Sequence, residues 1–136
     1  MIVLDTSAAL TALIGRPRIP DLLSRLATEE LHAPHLIDVE VLHALRGLVL
    51  GRELTRARAT DALSDFLDLS IVRYPHPPLA GRIWDLRSAM TAYDAAFVAL
   101  SEALGVPLVT CDARLGRTKT HSAQIEVFGK RSRPRA

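Results

Sequence analysis

Short β-branched apolar runs alternate along the chain with longer stretches at helical spacing, and this alternation predicts the elements. Ile2-Val3-Leu4, cut off by Asp5-Thr6-Ser7, reads as a buried strand ending in a polar turn. Ala8 to Ile14 follows as a short helix stopped by Gly15-Arg16-Pro17. Pro20 opens a second helix to about Ala27, with Leu22, Leu23 and Leu26 on its apolar stripe. Leu31-His32-Ala33, ahead of Pro34, is a second strand. From Leu36 to about Leu50 the pattern is strongly helical, and Leu36, Val39, Leu42, Leu45 and Val49 are expected on its inward face. A helix from Thr55 to Leu67, a strand at Ile71 to Tyr74 and a helix from Pro77 to about Met90 come next, the last with Leu79, Ile83 and Leu86 inward. Asp94 to Leu104 is nearly all apolar and is ended by Gly105, which marks a central helix. Val106 to Val109 and Ile125 to Phe128 complete five predicted strands.

Strands separated by helices call for an α/β fold with a mostly parallel, about five-stranded sheet covered on both faces. With 136 residues, 49% of them hydrophobic and 24% charged, the chain is neither disordered nor a disulfide scaffold. A single domain over residues 1–129 is expected, followed by a charged, disordered tail, KRSRPRA, over residues 130–136. The one cysteine, Cys111, leaves no internal disulfide and no thiolate metal cluster. An acid at position five with no basic stretch ahead of it argues against a secretory signal, and no apolar run is long enough for a membrane span. These features predict a soluble protein of a reducing compartment.

Charge changes the picture more than composition does. The net +2 divides into 10 Arg against 14 Asp and Glu over residues 1–112, a balance of −4, and 7 Lys and Arg against Glu126 alone over residues 113–136, a balance of +6. An acidic body with a basic end points towards a polyanionic partner.

In open parallel sheets, sites form at the carboxyl ends of strands. Asp5 directly follows the first strand and Asp112 the fourth. Glu40 lies inside the long Leu36–Leu50 helix, and Asp94 at the head of AAFVAL, the most apolar stretch. Singly, Asp94, Asp5 and Asp112 each read as a helix cap as readily as a ligand, whereas Glu40 is harder to assign to structure because a glutamate is rarely buried without a partner. Together, four carboxylates repel one another unless a cation joins them. Mg²⁺ or Mn²⁺ suits such oxygen donors, activates water and neutralises a phosphodiester's developing charge. His43, one turn beyond Glu40, reads as a surface histidine, and Trp84 and Tyr93 as packing residues suited to a subunit contact.

The segments MIVLDTSAAL, DVEVLHALR, AYDAAFVALSEALGVPLVTCDARL and the closing IEVF, in this order, resemble the PIN domain and, within it, the VapC toxins of bacterial toxin–antitoxin pairs. The resemblance implies an α/β/α sandwich and places the family's metal-binding acids at Asp5, Glu40, Asp94 and Asp112, with Ser7 and Thr110 as supporting hydroxyls. It implies a Mg²⁺- or Mn²⁺-dependent endoribonuclease of the bacterial cytoplasm, cutting cellular RNA (tRNA, rRNA or mRNA) to leave a 5′-phosphate and a 3′-hydroxyl. It also implies a homodimer, a VapB-type antitoxin and a higher toxin–antitoxin assembly, with no membrane partner. Ala113 and Arg114 stand where some relatives carry a further acid. For RNA, Arg114, Arg117 and Lys119 are expected to line the cleft's edge, with Arg82 and Arg87 as weaker candidates. The competing expectation is a PIN domain that binds RNA or protein without cutting, against which the presence of all four acids counts.

Overall fold

The computed structural model describes residues 1–129; the KRSRPRA tail lies outside them. Five parallel strands form one sheet: β1 (Ile2–Leu4), β2 (Leu31–Pro34), β3 (Ile71–Tyr74), β4 (Leu108–Thr110) and β5 (Ile125–Val127), in the order β3-β2-β1-β4-β5. Ile2, Val3 and Leu4 are fully buried because β1 is the middle strand and has helices over both faces. Chain order reverses beside β1, which is flanked by β2 on one side and by β4 on the other. That switch point opens a crevice at the carboxyl ends of β1 and β4.

Helices α1 (Thr6–Ile14), α2 (Pro20–Thr28), α3 (Leu36–Leu50) and α4 (Arg56–Asp68) pack together, and α1 also contacts β4. Helix α6 (Ala92–Leu104) lies against β1, β2 and β4 with α5 (Ala80–Asp85) alongside it, and α7 (Ala113–Arg117) packs on β5. Seven consecutive residues of α6, Ala95 to Ser101, are buried, which explains its nearly continuous apolar sequence. Gly105 ends α6 at φ 66°, a left-handed conformation that costs glycine nothing. Because α6 leads into β4, it runs back against the strands and brings its N-terminus to their carboxyl edge. No helix among the described residues is long and apolar enough to cross a membrane.

Three expectations are corrected. The inward face of α3 is Ile37, Val41 and Leu45, whereas Val39 is 66% and Leu42 49% exposed. Apolar residues on more than one side of α3 offer more than one stripe, and packing against β2 and α1 selects this one. The expected helix from Pro77 to Met90 is a 3₁₀ turn at Pro77–Leu79, the short α5, and turns to residue 89. Leu79 and Leu86 nevertheless point inward as expected. Trp84 and Tyr93 are not packing residues within this chain: they are 66% and 61% exposed, and Arg87 stacks on the Trp84 ring 4.6 Å from its centre.

Candidate active site

Asp5, Glu40, Asp94 and Asp112 line one cavity of about 240 Å³, together with Thr6, Ser7, Leu10, Phe97 and Leu115. Each acid is delivered by a different element. Asp5 leaves β1 and caps α1, accepting the Ala8 amide at 2.9 Å. Asp112 leaves β4 and caps α7 through the Arg114 amide at 2.9 Å. Glu40 rides on the second turn of α3. Asp94 is not the N-cap of α6: Thr91 takes that place, accepting the Asp94 amide at 3.2 Å. Relieved of capping, the Asp94 carboxylate sits in the first turn, where the helix dipole favours negative charge.

Asp5 anchors the cavity. Ser7 Oγ and the Ala8 amide donate to its Oδ1 at 2.8 and 2.9 Å, and Thr110 Oγ1 donates to Oδ2 at 2.5 Å. These donors occupy three of a carboxylate's roughly four acceptor positions. Thr110 is fully buried and also accepts the Asp112 amide at 3.0 Å, so one hydroxyl links the first and fourth acids. Ser7 accepts the Cys111 amide at 3.0 Å, which ties α1 to the end of β4. Both hydroxyls expected to support the site therefore bond Asp5 directly. Thr6 was not anticipated; its Oγ1 donates to Glu40 Oε1 at 2.6 Å. Its place between Asp5 and Ser7 was the available signal, but only the packing of α1 on α3 makes it a partner of Glu40.

The four acids differ in electrostatic state. Burial pushes Asp5 up to about 6 despite its three donors, and Asp94 adds to the rise. Glu40 and Asp94 are likewise raised, chiefly by burial, then by Asp94 acting on Glu40 and by Asp112 acting on Asp94. Asp112 is held low instead, because the Arg114 guanidinium bonds it. Arg114 Nη2 donates to Oδ2 at 2.7 Å and Nε to Oδ1 at 3.2 Å. Among the described residues no three acidic, histidine or cysteine side chains converge closely enough to grip an ion as they stand. Two of them instead meet donors of the protein: Glu40 accepts from Thr6, and Asp112 from Arg114.

A stability effect follows for the metal-free protein. Between pH about 4 and about 6, Asp5 stays protonated in the folded state while it ionises in the unfolded chain. Folding stability from this group is therefore complete below pH 4 and is lost as pH rises through 6. The loss is on the order of 2–3 kcal/mol. Glu102, held down to about 2 by Arg82, acts with the opposite sign, its stability being lost as pH falls below its ordinary value of 4.5, so it changes little between pH 5 and pH 7. Urea denaturation of chelator-treated protein at pH 5 and pH 7 is expected to show greater stability at pH 5, with the difference reduced in Asp5→Asn; Glu40 and Asp94, raised in the same sense, keep the remainder.

The remaining candidates scatter. Arg117, the last residue of α7, and Lys119, just beyond it, are exposed and form no ion pair among the described residues. Arg82 is not available at the cleft: its Nε and Nη2 bond the Glu102 carboxylate at 2.8 and 3.0 Å. Arg87 covers Trp84. His43 is exposed in a neighbouring cavity of about 600 Å³ that also takes in Glu40, Thr6, Val39 and Tyr93.

The profile of the PIN domain matches residues 2–120, which include all four acids. The chain belongs to the PIN-domain family. Ribonuclease VapC12 of Mycobacterium tuberculosis is 42% identical to this PIN domain over 127 residues, spanning 93% of this chain and 98% of that protein. Among solved structures, PAE2754 from Pyrobaculum aerophilum superposes with a TM-score of 0.70 at 26% identity, covering 93% of this chain and 83% of that one. VapBC2 from Rickettsia felis, bound to a DNA fragment from its promoter, gives a TM-score of 0.67 at 14% identity, with 93% of this PIN domain and 98% of that chain covered. That last likeness is one of fold.

Proposed function

We propose that this PIN domain is a divalent-metal-dependent endoribonuclease acting as the toxin of a VapBC pair in the bacterial cytoplasm. The observation that carries the reading is its end-to-end similarity to a named VapC ribonuclease in a chain whose four acids line one cavity.

The donor set fits a hard cation such as Mg²⁺ or Mn²⁺: every candidate ligand is a carboxylate, and three of the four are raised by burial and by one another. Asp5, Glu40 and Asp94 would hold the ion. When bound, it supplies positive charge that offsets these carboxylates and the scissile phosphate and makes a nearby water more acidic. Ser7 and Thr110 fix the orientation of Asp5 and so of the whole cluster. Asp112, steered by Arg114 and by Thr110, is left to orient the attacking water. That water's oxygen bonds to phosphorus as the bond to the 3′ oxygen breaks; the 3′ oxygen gains a proton, leaving a 5′-phosphate and a 3′-hydroxyl. Arg117 and Lys119, exposed at the end of α7 and just after it, are the residues proposed to contact RNA phosphates.

A second copy of the chain and a VapB-type antitoxin are the proposed protein partners, joined in a higher toxin–antitoxin assembly. Val39 and Tyr93, exposed in the cavity next to the acids, suit the face that the second copy would cover. Sequencing RNA 5′ ends after induced expression, with Asp5→Asn as control, tests the function. New 5′ ends at defined cellular RNA positions are expected with the natural chain and are absent with the variant. Identical 5′ ends from both would refute the reading.

A further inference from the structure

Of the four carboxylates around the cavity, one already has a cation. Arg114 grips Asp112 with two nitrogens, at 2.7 and 3.2 Å, while the Arg114 amide donates to the same carboxylate at 2.9 Å. Backbone and side chain of one residue thus fix both oxygens of Asp112 at the start of α7. Asp5, Glu40 and Asp94 have no basic side chain within 4.0 Å among the described residues. Arg114 also lines a smaller cavity of about 200 Å³ with Asp94, Thr91 and Met90, so its charge stands beside the third acid as well as the fourth. Its side chain is 76% exposed, and a pair that exposed contributes little to stability. A fold-holding role does not account for the arrangement. A charge-balancing role does, because the contact is forked and is aimed at the cavity's own carboxylate.

We propose that Arg114 is a built-in counter-cation: it takes the place at Asp112 that a second divalent ion would need, so the cavity binds a single ion through Asp5, Glu40 and Asp94. The inference rests on the metal-dependent reading above and narrows it. A second ion would have to displace a forked, charge-assisted contact and approach a fixed positive charge. The second position after the fourth acid decides the matter chemically, since an acid there would add a ligand whereas Arg114 neutralises one. Arg114 Nη1 donates no hydrogen bond among the described residues, which leaves it able to meet a phosphate oxygen without releasing Asp112.

The test is Mn²⁺ binding to metal-free protein without RNA, followed by isothermal titration calorimetry. The natural chain is expected to take up a single ion. Arg114→Gln, at an exposed position where folding is checked by circular dichroism, is expected to take up a second ion and to bind the first about tenfold more tightly. Arg114→Lys, which keeps the charge without the fork, is expected to stay at a single ion. Two ions in the natural chain, or a single ion in Arg114→Gln, would overturn the role of Arg114 and leave the metal-dependent reading standing. No uptake by the natural chain would overturn both.

Discussion

Asp5→Asn is expected to reduce RNA cleavage on the order of 10³-fold or more while leaving the fold intact. Losing the innermost carboxylate removes the charge that anchors the cation, and metal-derived stabilisation of several kcal/mol translates into at least that factor. The fold survives because Asn retains an acceptor for the Ala8 amide and the Ser7 hydroxyl, which now meet Asp5 Oδ1 at 2.9 and 2.8 Å. Stability at pH 7 is expected to match or exceed that of the natural chain, since a carboxylate pushed up to about 6 by burial is being replaced by a neutral side chain. Loss of cleavage together with loss of the thermal transition would mean that Asp5 is structural.

Thr110→Val separates the support from the ligand. The two side chains have nearly the same shape, but valine cannot donate to Asp5 Oδ2 or accept the Asp112 amide, contacts now made at 2.5 and 3.0 Å. Thr110 is fully buried, so no water replaces the missing hydroxyl without a cavity to hold it. The expected cost is about 1–3 kcal/mol of stability by chemical denaturation. Cleavage is expected to fall about 10–100-fold, the range seen when the hydrogen-bond partner of a metal ligand is lost. An effect on stability with cleavage unchanged would show that Asp5 needs no help in holding its orientation.

The strands and the two strand-end acids, Asp5 and Asp112, were legible for one physical reason. A buried parallel strand must be short, β-branched and apolar, and the polar residue that ends it stands at the sheet's carboxyl edge. Ile2-Val3-Leu4 before Asp5 and Leu108-Val109-Thr110 before Asp112 obey that rule. What escaped the sequence was decided between elements. The buried face of α3 depends on how α1 and the sheet meet it, and its pattern allowed Val39 and Leu42 as readily as Ile37 and Val41. Thr91 rather than Asp94 caps α6 because the helix starts two residues earlier than its apolar run suggests. The hydroxyl of Thr6 on Glu40 spans 34 residues, and the Arg82 pair with Glu102 spans 20, so neither had a local signature. Arg114 was legible as a basic residue near the cleft, but its fold-back onto Asp112 requires the cap geometry of α7.

The central claim is that the four-acid cavity cuts RNA through a divalent cation. It is tested most directly by one paired assay, in which the natural chain and Asp5→Asn are incubated with the same RNA in excess EDTA and again after Mn²⁺ is restored. Intact RNA is expected in EDTA for both proteins, and cleavage on Mn²⁺ addition by the natural chain alone. Undiminished cleavage in EDTA, or equal cleavage by both proteins with Mn²⁺, would contradict it.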